Sequence, residues 1–415
     1  MIRKSFVALF SAAIEAVVGL RSYRHVKLGS DASNYFRIAS NIANGRGFSD
    51  HFPDIHSTLV HATAWRPPLY PLILAAAFIV FGSHILVAQI VNCGISAIDS
   101  VLIFSLVVNA LTEKYGTGKS KNNIKLSGAA ASLTFITYPP LFSNFFVPLS
   151  EPLLILLILS SVMFFSKKRY YLTAVTCGLL ILTKPGTEMV LLISLILIFK
   201  RVGFKKAAKC LSLTLLIILP WITRNYIVLG APVLETSDGF NLASEYSAIS
   251  QRSNSFVDPV FDPEFRKYWP LESNEVRWDH QLAALGISNI VAHPIVVLKT
   301  VKRNIEIMFQ LRPSMAEPAE ASDLRHIRLI NDTLPWYALV SVVGWIFVIR
   351  MRKVDYLKYL ILIVGWDTFS GLFSTGAPRL RATFDLTACI GIGFAIYFIS
   401  RKVIEKAKPD DLNLA

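Results

Sequence analysis

The chain has 415 residues, of which 53% are hydrophobic and only 17% are charged, and its mean hydropathy is +0.50. Soluble proteins are about 45 to 50% apolar and about 25% charged, so this composition excludes an ordinary soluble protein and predicts a polytopic membrane protein. The net charge of +14 does not indicate a nucleic-acid partner, because Lys and Arg fall in short clusters between apolar segments, the pattern that sets membrane topology.

Apolar segments along the chain predict an all-α membrane protein with about ten transmembrane helices. They are 5–21, 84–111, 126–144, 150–166, 170–184, 187–199, 210–223, 334–350, 357–375 and 384–400. With this count, every basic cluster falls on one side, which the positive-inside rule makes cytoplasmic together with both termini. We therefore expect a multi-pass protein of the inner (plasma) membrane.

The same spans divide the chain into three parts. Residues 1–223 form an N-terminal transmembrane module with a first external loop at 22–83, residues 224–333 form a small external domain, and residues 334–415 form C-terminal helices and a cytoplasmic tail. In the first loop, the spacing of apolar residues from Asn34 to Asn44 predicts an interfacial helix. Residues 69–82 predict a helix too short to span. In the external domain we expect a helix over 274–292, ended by His293-Pro294, and an interfacial helix over 295–311.

Ionisable residues cluster at the predicted outer ends of the spans. Charge close to hydrocarbon is costly and is usually kept for a function. Arginine and lysine bind phosphate, and a carboxylate takes the proton of an acceptor hydroxyl. The pattern predicts a reaction on a phosphorylated lipid head group, at residues Asp31, Arg66, Glu151, Lys184, Arg224, Arg379 and Arg381.

Several of these residues also have a purely structural interpretation. Asp31 follows Ser30 in a good helix-capping context, and Arg66 fits an interfacial residue whose charge reaches for water. Glu151 before Pro152 is typical of a helix start. Asp367 lies inside an apolar run, where we interpret it as a packing residue satisfied by a nearby hydroxyl.

Metal binding has little support in the sequence. His51, His56 and His61 recur beside Asp54, but their five-residue spacing matches no usual zinc motif. We predict no metal site, and a divalent metal is left open as a cofactor.

The ordered set of motifs resembles the GT-C superfamily of polyprenyl-phosphate-sugar glycosyltransferases, in the branch that contains the protein O-mannosyltransferases and the lipid A aminoarabinose transferase. The matching segments are Ser30-Asp31-Ala32-Ser33-Asn34-Tyr35, Trp65-Arg66-Pro67-Pro68-Leu69-Tyr70-Pro71, Leu149-Ser150-Glu151-Pro152-Leu153, Leu182-Thr183-Lys184-Pro185-Gly186, Leu219-Pro220-Trp221-Ile222-Thr223-Arg224-Asn225-Tyr226 and Pro378-Arg379-Leu380-Arg381. The resemblance implies a GT-C fold, an external active site, a lipid-phosphate-sugar donor and a lipid, glycan or protein acceptor.

The resemblance also implies roles for single residues. Asp31 matches the proposed general base and Glu151 an acid that binds acceptor or metal, while Tyr35, Tyr70 and Arg224 are further candidates within the motifs. The implied reaction is a single displacement with inversion, in which Arg66, Arg379 and Arg381, with Lys184, stabilise the departing phosphate.

One departure keeps other functions open. Members of the mannosyltransferase branch often carry two adjacent acids in the first loop, whereas Ala32 follows Asp31 here, so a second acid must come from Glu151 or be absent. The alternatives are a transporter or flippase for a lipid-linked or anionic substrate, and a non-catalytic assembly subunit. Transporters usually show pairs of interrupted helices and inverted repeats with charges near mid-membrane, whereas here the charges gather at one face and the external loops are large and asymmetric.

Overall fold

The structure is a computed structural model, and it describes residues 4–22, 28–51, 60–116, 121–184, 186–265, 267–268, 274–311 and 324–406. The first ten helices are α1 (Lys4–Ser22), α2 (Ser30–Ala43), α3 (Leu69–Phe81), α4 (Ile85–Tyr115), α5 (Lys121–Thr137), α6 (Pro139–Phe142), α7 (Glu151–Ser166), α8 (Tyr170–Ile181), α9 (Glu188–Val202) and α10 (Phe204–Leu229). The others are α11 (Asp238–Tyr246), α12 (Ala248–Ser253), α13 (Glu275–Ala292), α14 (Ile295–Met308), α15 (Leu324–Arg350), α16 (Asp355–Phe373) and α17 (Ala382–Lys406). Strands β1 (Ser49–Asp50) and β2 (His61–Ala62) form a short antiparallel pair.

A helix coincides with each of the predicted spans, which confirms a helical membrane protein. By length and composition, three helical segments among the described residues can cross a membrane: α4, α10, and the stretch Pro378–Val403 that includes most of α17. The count rises to four if α13 and α14, which are bent by 110° at His293-Pro294, are taken as one span. The larger number of spans stays a prediction.

The long apolar helices share one large apolar core, in which α17 packs against both α5 and α15. Glycines allow the closest approach: a Cβ at Gly391 of α17 would lie 1.9 Å from the carbonyl oxygen of Gly344 of α15. Small residues at such contacts are how membrane helices gain packing energy, since lipid offers no hydrophobic driving force between them.

Helices α2 and α3 of the first loop pack against each other. The helix predicted from Asn34 begins earlier, at Ser30, with Gly29 as its N-cap residue. Its apolar side chains Tyr35, Ile38 and Ala39 are buried. Because α3 covers this face, protein contacts rather than lipid contacts bury it.

Helices α11 to α14 form a second, smaller unit, called here the α11–α14 unit. Its aromatic core contains Trp278 and Phe265 and also receives Trp65 from the first loop. The Trp65 ring lies edge-on to Phe240, with 5.3 Å between ring centroids. Burial of a tryptophan from a distant loop fixes that loop to the unit.

Candidate active site

A cavity of about 700 Å³ lies where the first loop, the N-terminal end of α7, the α11–α14 unit and the segment before α17 meet. It is large enough for a drug-sized ligand. The charged residues that line it, among those described, are Asp31, Arg66, Glu151, Lys184, Asp238, Asp258, Asp367, Arg379 and Arg381.

Two arginines hold Asp31 at this cavity. Arg66 donates from Nη2 to Oδ1 of Asp31, and Arg379 donates from Nη2 to Oδ2. The side chain of Asp31 is 18% exposed, and those of Arg66 and Arg379 are 15% and 21% exposed. Asp31 lies in the first turn of α2, whose N-cap residue is Gly29, and both of its carboxylate oxygens accept hydrogen bonds from the arginines. Its carboxylate is therefore committed to the cavity rather than to its helix.

The ion pairs change the acidity of Asp31. Burial on its own would raise the pKa of this carboxyl, but the charges of Arg379 and Arg66 and their hydrogen bonds outweigh burial and hold the pKa at about 2. In this arrangement Asp31 is ionised at neutral pH but is a weak proton acceptor, because basicity falls with pKa.

Glu151 lies next to Arg379, the same arginine that pairs with Asp31. It is the first residue of α7, is only 3% exposed and lines the cavity. Its Oε1 lies 3.9 Å from Nη1 of Arg379, and its Oε2 has no hydrogen-bond partner among the residues that the structure describes. A buried carboxylate oxygen without a donor is costly. Glu151 therefore keeps one oxygen available to a ligand.

Neighbouring aromatic rings fix Arg66. Its guanidinium lies 5.7 Å from the centroid of Tyr35 and 5.8 Å from that of Trp65. The hydroxyl of Tyr35 is bonded to Oγ of Ser150 at 3.2 Å, which places Tyr35 beside Glu151. Because arginine stacks on aromatic faces, this contact holds the guanidinium at the cavity wall.

Lys184 and Arg381 line the same cavity, but each lies beside a carboxylate other than that of Asp31. Nζ of Lys184 lies 3.9 Å from Oδ1 of Asp367, whose Oδ2 accepts a hydrogen bond from Thr383. Arg381 donates to Asp385 at 3.0 Å and to the carbonyl oxygen of Met308 at 2.8 Å. Arg381 thus serves packing more than ligand binding.

Two of the sequence candidates lie outside the described cavity lining. Tyr70 is fully buried and donates to Oδ1 of Asn92 at 2.9 Å. Arg224 donates to the carbonyl oxygens of Thr63 and Phe48. Both residues therefore stabilise the first loop through contacts outside the cavity lining.

Sequence reasoning missed three acids. Asp238 and Asp258 line the cavity from the α11–α14 unit. Glu275 of the same unit is buried beneath it and accepts from the backbone N–H of Ala64, at 2.6 Å, and from Thr63, at 2.8 Å. No motif marks any of them, and their contacts join segments far apart in the chain.

No group of three or more His, Cys, Asp or Glu side chains within the described ranges is arranged to hold a metal ion. His56, one of the three histidines considered above, lies outside those ranges. We derive no step through a metal.

The chain matches no family model and no curated protein. Among solved structures, it is similar to ArnT from Cupriavidus metallidurans bound to undecaprenyl phosphate, with 12% identity over 97% of this chain and 81% of that chain and a TM-score of 0.42. It is also similar to the archaeal oligosaccharyltransferase AglB from Archaeoglobus fulgidus, in complex with an inhibitory peptide and a dolichol-phosphate, with 14% identity over 99% of this chain and a TM-score of 0.44. The chain spans about half of AglB, or 53%.

Proposed function

We propose that this chain is a membrane glycosyltransferase that moves a sugar from a polyprenyl-phosphate carrier to an acceptor hydroxyl at the external face of an inner membrane. The observation that carries the proposal is the grouping of Asp31 and Glu151 with Arg66 and Arg379 around one cavity. Arginines suit a lipid phosphate, and the carboxylates suit a hydroxyl acceptor.

The chemistry follows from these groups. Asp31 accepts the proton of the acceptor hydroxyl, whose oxygen attacks the anomeric carbon on the face opposite to the phosphate. The bond from this carbon to the phosphate oxygen breaks, and its electron pair leaves with the polyprenyl phosphate. Arg66 and Arg379 stabilise the charge that develops on the leaving phosphate. A single displacement of this kind inverts the anomeric configuration.

Glu151 suits the binding of the acceptor. Its free Oε2 is at the cavity wall and can accept a hydrogen bond from an acceptor hydroxyl. Through Arg379 it also stays close to the donor phosphate. Glu151 supplies the second acid that the first loop lacks.

The experiment is transfer of labelled sugar from a lipid carrier in vesicles that contain wild-type protein or Asp31→Asn at matched expression. We expect transfer by the wild type and a loss of at least about a hundredfold in the variant, as for a removed general base. Asp355→Asn is the matched control: Asp355 is also paired with an arginine, Arg201, but its side chain is 66% exposed and lies outside the cavity lining. It should retain transfer.

Other outcomes would redirect the proposal. If Asp31→Asn transfers as well as the wild type, the base is not Asp31, and Glu151→Gln is the next variant. If the wild type binds the lipid carrier but never transfers its sugar, the chain is a transporter, flippase or assembly subunit rather than an enzyme.

A further inference from the structure

The two arginine–aspartate clusters of the first loop differ in a way that bears on catalysis. Arg37 donates two hydrogen bonds to Asp50, from Nε at 2.8 Å and from Nη2 at 3.1 Å, and Asp50 is completely buried. Asp31 is instead shared between two arginines, each of which reaches it through its Nη2. A two-pronged pair is both stronger and more rigid than single contacts. The Asp50–Arg37 pair is therefore a fixed structural contact. The arginines of the Asp31 cluster, by contrast, can exchange one anionic partner for another.

The charge of the cavity supports exchange. Four cations, Arg66, Lys184, Arg379 and Arg381, line the described wall, together with five carboxylates, those of Asp31, Glu151, Asp238, Asp258 and Asp367. This wall holds no excess of positive charge. An anion can therefore bind strongly only where a cation parts from its carboxylate. Arg66 and Arg379 are the suitable cations, because Arg381 is fixed by Asp385 and the Met308 carbonyl group.

We propose that Asp31 and the donor phosphate compete for the same two guanidinium groups, so that phosphate binding releases Asp31 to act as the base. This inference rests on the glycosyltransferase function proposed above. In the ligand-free site, Asp31 then occupies the two guanidinium groups that the phosphate binds when the donor is present. It also imposes an order, in which the donor binds before the acceptor hydroxyl can be deprotonated.

The exchange is coupled to the chemical step. The donor phosphodiester carries one negative charge, and the departing phosphate monoester carries about 1.5 to 2 at neutral pH. As the anomeric bond breaks, Arg66 and Arg379 are drawn further towards the phosphate. Asp31 then loses the charges that hold its pKa at about 2, and it becomes a stronger base while the acceptor proton is leaving. The proton ends on Asp31, and the electron pair ends on the phosphate.

Binding of a short-chain polyprenyl phosphate without sugar, to purified protein, tests the competition. If Asp31 occupies the arginines in about nine of ten molecules, its removal raises the apparent affinity about tenfold. We therefore expect Asp31→Asn and Asp31→Ala to bind this lipid about tenfold more tightly than the wild type, although they have lost transfer.

Asp258→Asn is the matched control for a general change in cavity charge. Asp258 lines the same cavity, and its Oδ1 accepts the N–H of Val260, which an asparagine oxygen can also do. This variant should change the affinity by less than about threefold. An equal gain in both variants would overturn the competition, because the gain would then be electrostatic and unrelated to the arginines.

Unchanged or weaker binding by the Asp31 variants would also overturn the inference, since it would mean that Asp31 only positions the arginines. That result would leave the proposed function standing if the wild type binds the lipid and transfers sugar. A wild type that does not bind polyprenyl phosphate would overturn both. Should the variants fail to fold, an electron cryo-microscopy structure of the lipid-bound wild type decides: the two guanidinium groups must contact phosphate oxygens, and continued pairing with Asp31 refutes the exchange.

Discussion

Glu275 is the residue whose substitution best tests whether the α11–α14 unit supports the active site. Its Oε1 accepts from the N–H of Ala64 at 2.6 Å and from Thr236 at 2.7 Å, and its Oε2 accepts from Thr63 at 2.8 Å. Ala64 is two residues before Arg66 in the chain. The carboxylate thus fixes the segment that carries Arg66, one of the two arginines that pair with Asp31.

The cost of Glu275→Ala follows from the donors it leaves behind. A buried donor without a partner costs about 1 to 3 kcal/mol. The Thr63 and Thr236 hydroxyls can rotate to other acceptors, whereas the backbone N–H of Ala64 cannot, so we expect a loss of about 2 to 4 kcal/mol. Glu275→Gln keeps one acceptor oxygen for Ala64 and should cost about 1 kcal/mol.

The assay is thermal unfolding in detergent together with sugar transfer at saturating donor. Glu275→Ala should lower the Tm by several degrees and reduce transfer, while Glu275→Gln should stay near the wild type on both measures. Equal stability and transfer in all three proteins would refute the reasoning, because Glu275 would then contribute nothing to the placement of Arg66. A loss of stability with full transfer would limit its role to folding.

Three further predictions follow from single contacts. Arg379→Gln should weaken binding of polyprenyl phosphate about 10- to 100-fold, since it removes a charge-assisted hydrogen bond, whereas Arg381→Gln should mainly lower the Tm, because it leaves a buried carboxylate unpaired. Gly376→Ala should destabilise by at least about 2 kcal/mol, measured as a fall in Tm and in transfer, because φ is +61° and the new Cβ would lie 2.6 Å from that of Asn304. Burial raises the pKa of Asp279 from 3.8 to about 7, so the folded state holds its proton across that range. Stability should fall as pH rises from about 4 to 7, by at most about 1.4 kcal/mol per pH unit, and Asp279→Asn should remove this slope.

The sequence predicts the positions of the helices well. Hydropathy is a local property, and a helix coincides with each of the apolar segments. The end of α13 before His293-Pro294 is also predicted correctly, because proline cannot continue a helix. The start of α2 was misjudged by four residues, since apolar spacing alone gave no signal before Asn34.

The sequence predicts which residues form the site, but it does not predict which of them pair with each other. Asp31 and Arg379 are 348 residues apart, and no local pattern says that they meet. Arg379 and Arg381 share one motif, yet the short 3₁₀ turn at Pro378–Arg381 sends one side chain to Asp31 and the other to Asp385. By sequence alone, both arginines are equally suited to bind phosphate. Only the packing around them distinguishes Arg379, the proposed phosphate-binding residue, from Arg381, which has a structural role.

Two helices of the α11–α14 unit hold the segments that precede Arg66 and Arg379, the two arginines that pair with Asp31. Glu275 of α13 fixes the segment before Arg66, and Asn304 of α14 donates to the carbonyl oxygens of Leu372 and Ser374, in the segment before Arg379. The two helices meet at a bend of 110°. The separation of the arginines therefore depends on this bend as well as on the transmembrane helices. Because Asp31 bridges that separation, an acceptor that binds the unit and changes the bend would alter how firmly Asp31 is held, without touching any of the three residues.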